Sequence, residues 1–89
     1  MPTVTFTTAL QRHVDCPADA VDGATVRAAL EAYFARHAAT RAYVLDEQGA
    51  LRHHVVVFVD GVQVDSRQGL DDAVSSAAEI HVMQALSGG

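Results

Sequence analysis

The chain opens on an alternation of period two. Val4 and Phe6 fall on one side of Val4-Thr5-Phe6-Thr7-Thr8 and Thr5 and Thr7 on the other, which predicts a half-buried strand. Pro17 lies within the next segment and cannot donate to a ladder, so the strand there is short. It is expected over Ala18 to Val21, paired back on the first as a hairpin and closed by an Asp22-Gly23 turn. The period then lengthens. Val26, Leu30 and Phe34 recur at helical spacing, flanked by Ala29 and Tyr33, with Thr25 placed to cap the first turn and Arg36 and His37 in the last. This predicts an amphipathic helix of about three to four turns that covers one face of a sheet.

Arg41 to Leu45 leads into a polar turn, Asp46-Glu47-Gln48-Gly49. Leu51 to Val59 is the longest predicted strand. Asp60-Gly61 separates it from Val62-Gln63-Val64, which is a hairpin signal because both residues tolerate positive φ. Ser66 to Gly69 reads as a loop, Leu70 to Val74 as a single helical turn, and Ser75 to Ala78 as the turn into a final strand, Glu79 to Ala85. The order strand, strand, helix, strand, short strand, strand predicts an α+β fold, one sheet packed on one helix. If the final strand pairs beside the first, it is central and rigid, and only the residues beyond it project.

The faces of the long strand are unequal. With Val55, Val57 and Val59 inward, the outward row runs Arg52, His54, Val56, Phe58, Asp60, polar at both ends and apolar in its middle. In the final strand Ile80 and Val82 face the helix, and His81, Met83 and Ala85 face away. Val56, Phe58 and Met83 are therefore expected to form an apolar patch on the helix-free face, where solvent normally selects polar side chains. Such a patch marks a partner interface; the alternatives are that Val56 and Phe58 are simply good strand formers, or that the strand is buried on both faces and so reads as continuously apolar.

Composition narrows the function classes. Eighty-nine residues make one domain with a small core, which favours a binding module, carrier or modifier over an enzyme with a deep cleft. Net charge is −5, with six Arg and no Lys, so the footprint of a nucleic-acid binder or an anionic-membrane anchor is missing. The opening Met1-Pro2-Thr3 has no signal-peptide character and no apolar run approaches a membrane span, so a cytoplasmic location is expected. Cys16 stands alone and reads as a small buried residue. His13, His37, His53, His54 and His81 lack metal-ligand spacing, and the adjacent His53 and His54 of a strand would point to opposite faces. No catalytic constellation and no metal site are expected.

The chain ends Ala85-Leu86-Ser87-Gly88-Gly89. The two glycines offer only backbone and a terminal carboxylate. Either this is a frayed end, or it is thin because it threads a narrow channel and presents that carboxylate for chemistry.

With these elements in order, the sequence resembles the β-grasp, ubiquitin-like sulfur carriers of the MoaD/ThiS family. Gly23-Ala24-Thr25-Val26-Arg27-Ala28-Ala29-Leu30 is similar to the family's approach to its helix, and Val55-Val56-Val57-Phe58-Val59-Asp60-Gly61 to its central strand and turn. Glu79-Ile80-His81-Val82 is similar to the last strand, and Ala85 to Gly89 to the tail. Val44 to His53 gives it the look of the longer, CysO-type members. It departs from the family at Ser76-Ala77-Ala78, where an Asp-Gly-Asp turn is frequent, and at Gln84, where a proline is frequent.

The resemblance implies a mixed sheet of four to five strands on one helix, with residues 1–84 as the domain and 85–89 as a flexible tail. It implies that Gly89 is adenylated and converted to a thiocarboxylate, with Gly88, Ser87, Leu86 and Ala85 presenting it. No cofactor would be bound; ATP would be used by a ubiquitin-activating-type adenylating enzyme. The remaining partners would be a sulfurtransferase or cysteine desulfurase and a sulfur-accepting biosynthetic enzyme, for cysteine, molybdopterin, thiamine or a secondary metabolite. The chain itself would be a co-substrate rather than an enzyme. The alternatives are a protein modifier conjugated through Gly89, or a β-grasp interaction domain without C-terminal chemistry.

Overall fold

A computed structural model describes residues 1–84. Ala85, Leu86, Ser87, Gly88 and Gly89 lie outside the described residues, and with them the expected tail, the attachment site and the last position of the final strand. Among the described residues five strands form one mixed sheet in the order β2-β1-β5-β3-β4, with β1 at Thr3–Phe6, β2 at Asp19–Ala20, β3 at Val55–Val59, β4 at Val62–Gln63 and β5 at Glu79–Gln84. β5 is central. It runs parallel to β1, with Val4 beside Ile80 and Phe6 beside Val82, and antiparallel to β3, with Val57 beside Val82. The architecture is the β-grasp that the family resemblance implies.

Among the described residues three helices accompany the sheet: α1 at Thr8–Gln11, α2 at Val26–Arg36 and α3 at Ala38–Val44. The expected single helix is α2. Its stripe Val26, Ala29, Leu30, Tyr33 and Phe34 is buried against Val4, Phe6, Val55, Val57, Ile80 and Val82. Removing each Val, Leu, Ile or Phe side chain of this set from water contributes about 1.5–3 kcal/mol. The Tyr33 ring lies 5.0 Å from that of Phe6, and its hydroxyl donates to the Pro17 carbonyl at 2.7 Å.

Four expectations need correction. Thr8 begins α1 instead of extending β1, and Leu10 on that turn is buried. Ala38–Val44 is helical rather than connecting chain: His37 interrupts the helical backbone, and α3 then buries Thr40 and Val44. The long strand starts at Val55, because Arg52 to Val55 closes a turn, while Leu51 bridges Leu45 around a loop held by Asp46. Leu70 to Val74 is not a helical turn. Leu70 takes φ 54°, and Ala73 forms a bridge with Thr25.

That last segment has a different task. An α-helix begins with four backbone N–H groups that have no partner within its first turn. In α2, Val26 N–H donates to the Asp72 carbonyl at 3.0 Å and Arg27 N–H to the Leu70 carbonyl at 2.8 Å. Ala28 N–H donates to Thr25 Oγ1 at 3.1 Å, the predicted cap. The Arg27 side chain then donates to the Gly49, Gln68 and Gly69 carbonyls, tying two loops to the helix start. The hairpin at Asp60-Gly61 forms as predicted, with both residues at positive φ and Val59 paired with Val62.

Candidate functional site

The helix-free face of the sheet is set by register. Val56 lies opposite Met83 and Phe58 opposite His81, so the three predicted patch residues do share one face, across the β3–β5 pair. Val56 and Phe58 are half-buried and Met83 is 38% exposed. On the other side of β5, Thr5 stands opposite His81, and its Oγ1 lies 2.7 Å from His81 Nδ1. Imidazole and hydroxyl thus partner each other in the middle of the face. Acidic side chains sit at the start of β5, where Glu79 N–H donates to Asp60 Oδ1 at 2.9 Å. The face therefore grades from acidic, at Asp60 and Glu79, to apolar, at Val56 and Met83, in the direction in which β5 runs toward residue 85.

Two open grooves flank the ridge made by His81 and Met83. One, of about 380 Å³, runs between Thr5, Phe58, Asp60, Gly61 and Glu79. The other, of about 630 Å³, is lined by Phe6, Thr7, Thr8, Ala9 and Gln84 together with His81 and Met83. It exists because β1 ends at Phe6 and turns into α1, while β5 continues for two residues past Val82. Gln84 N–H there donates to Thr7 Oγ1 at 3.4 Å in place of a strand carbonyl. The sequence reading missed this groove. The signal lay in Thr8 to Gln11, where the alternation of period two stops before a buried Leu10.

The remaining titratable groups lie elsewhere. Asp19 accepts hydrogen bonds from His37, at 3.1 Å, and from Arg36, and these hold its carboxyl below the usual carboxylate value. Cys16 is buried; its burial first, and the neighbouring Asp15 carboxylate second, push the thiol up. His53 and His54 meet edge to face, and among the described residues no group of three His, Cys, Asp or Glu side chains could hold a metal ion. No described helix is long and apolar enough to cross a membrane.

Comparison with known proteins gives a consistent picture. A family model described as the ThiS family matches residues 8–89. No curated protein matches the chain. Among solved structures, a chain of the Amycolatopsis orientalis BexX/CysO complex is 27% identical with a TM-score of 0.83, over 100% of both chains. SAMP1 from Haloferax volcanii is 26% identical with a TM-score of 0.78, over 99% of this chain and 98% of that one. Mycobacterium tuberculosis CysO shares the fold, with a TM-score of 0.80 at 21% identity, over 97% of this chain and 100% of that one.

Proposed function

Since the chain belongs to the ThiS family, we propose that it is a sulfur carrier whose Gly89 carboxylate is the working group. A carboxylate is a poor acyl donor, because its leaving oxygen is bad and its carbonyl is deactivated. An ATP-dependent activating enzyme solves this. One Gly89 oxygen attacks the α-phosphate of ATP, pyrophosphate leaves, and an acyl-adenylate forms. A sulfur nucleophile at the oxidation level of sulfide then attacks the carbonyl and expels AMP, leaving a terminal thiocarboxylate that is passed to an accepting biosynthetic enzyme. Gly89 has no side chain to shield its carbonyl, and a glycine at position 88 can take backbone angles closed to other residues. Ser87 and Ala85 are small enough for a narrow channel. Val56, Phe58 and Met83 are the surface on which the activating enzyme rests.

The observation that carries this reading is the Gly-Gly end, placed five residues past a central strand in a chain that the family model matches through residue 89. Isotope exchange between pyrophosphate and ATP tests it, with candidate activating enzymes and the intact chain. Exchange that disappears when Gly89 is deleted or extended supports adenylation at that carboxylate. Exchange that persists in both variants removes Gly89 from the reaction. A second reading, conjugation to proteins through Gly89, is favoured by the likeness to SAMP1, a small archaeal modifier protein. It predicts isopeptide bonds from Gly89 to lysines of other proteins, seen after trypsin as a remnant of residues 68–89, because Arg67 is the last tryptic site in the chain.

A further inference from the structure

Among the described residues, His81 is the one ionisable side chain in the middle of the open sheet face. It is half-buried, opposite Thr5 on β1 and Phe58 on β3, and it lines both grooves. Its Nδ1 lies 2.7 Å from Thr5 Oγ1. A hydroxyl both donates and accepts, so this bond is compatible with either neutral tautomer and with the imidazolium. Thr5 therefore holds the ring in place without fixing its charge. The charged groups that face the ring are Asp60 from β3 and Glu79 from β5, which share the groove of about 380 Å³ with it. Its neighbours from β1 and α1, Thr5, Thr8 and Ala9, are uncharged.

A partner resting on Val56, Phe58 and Met83 must cover His81 as well. Phe58 lies opposite it, and Met83 follows it on the same side of β5. Covering the ring removes its water, and in apolar surroundings the charged form is the disfavoured one. A partner surface complementary to Asp60 and Glu79 is cationic, and it too repels an imidazolium beside it. We propose that His81 makes docking of the activating enzyme conditional on a proton: the enzyme binds the face with the ring neutral, and a proton carried by the free ring passes to water as the surfaces meet. Docking is therefore strongest above the pH range in which the free ring charges, and weakens as pH falls through that range. His81 touches no reacting atom; it is a specificity-determining residue of the face. This rests on the carrier reading above and adds a regulator of its first step, since mild acid keeps the two proteins apart before Gly89 is activated.

The test is titration calorimetry of the intact chain with its activating enzyme at about pH 7.5 and about pH 5.5, which bracket the charge change of histidine. Repeating it midway in two buffers of different ionisation enthalpy reads the protons released. The parent chain is expected to bind about tenfold more weakly in acid, the equivalent of one pKa unit between free and bound ring. It should release a fraction of a proton on binding. His81→Gln keeps a polar group beside Thr5 and cannot charge, so its affinity should differ by no more than about twofold between the two conditions. His53→Gln, in the exposed turn before β3, is the control and should follow the parent chain. Circular dichroism melting under both conditions reads the fold separately. Equal pH dependence in the parent chain and His81→Gln overturns the inference. So does tighter binding in acid that His81→Gln abolishes, because the partner would then recognise the imidazolium. Phe58→Asp, measured alongside, separates the two readings: if it binds like the parent chain, the face is not the interface and the docking reading fails first. If no activating enzyme binds even the parent chain, the carrier reading fails and the inference fails with it.

Discussion

A methyl group at Gly23 would sit 2.5 Å from the Ala29 nitrogen and 2.7 Å from its Cα. These are helix backbone atoms of α2 and cannot swing aside as a side-chain tip can. Gly23→Ala is expected to cost about 1–3 kcal/mol in urea unfolding, the range for overpacking; an unchanged midpoint would show that the loop before α2 yields freely. Asp19 is a milder case. His37 and Arg36 stabilise its charged form, so its folded pKa lies below the ordinary 3.8. The associated stability is present above that ordinary value and is lost as pH falls through the depressed one. The pair is solvent-screened, so the effect is small. Asp19→Asn should lower the melting temperature slightly at neutral pH, and the gap should close in strong acid. A gap that persists in acid would mean that packing, not charge, holds the two segments together.

At the scale of elements, what the sequence disclosed depended on how completely a residue's role is local. Helix α2 was legible from its apolar stripe and from Thr25, because a cap and a 3.6-residue period are both local signals. The Asp60-Gly61 hairpin was legible for the same reason: the turn requires two positive φ angles, and these residues accept them. Leu70 was not legible. Its buried side chain and positive φ follow from a long-range duty, since its carbonyl and that of Asp72 receive the first N–H groups of α2. Helix α3 was missed because Ala38 to Val44 carries helix-forming residues with only two buried positions, too few to show a period. Thr25→Ala removes one of three distinct partners at the helix start. It is expected to cost about 1 kcal/mol in thermal or urea unfolding, and no measurable loss would show that Leu70 and Asp72 suffice.

Considered as a whole, the molecule is a small acidic domain that covers one face of its sheet and leaves the other open. The open face was legible from the sequence, because Val56, Phe58 and Met83 break the polar alternation, and the register confirms that they meet. The groove beside Gln84 was not, because it depends on β1 ending two residues short of β5, a difference between distant strands. Phe58→Asp should weaken binding of the activating enzyme about tenfold or more, as loss of a central aromatic anchor does, while near-native melting shows the fold retained. Unaltered binding by titration calorimetry would remove this face from the interface.

The central claim is that Gly89 carries the cargo. The direct measurement is intact mass of the chain after incubation with the activating enzyme, ATP and a sulfide source. The account predicts exchange of one terminal oxygen for sulfur, reversed by mild hydrolysis and absent when Gly89 is deleted. A mass that stays unchanged with an enzyme shown to bind the chain, or sulfur found on Cys16 instead of the terminus, would contradict it.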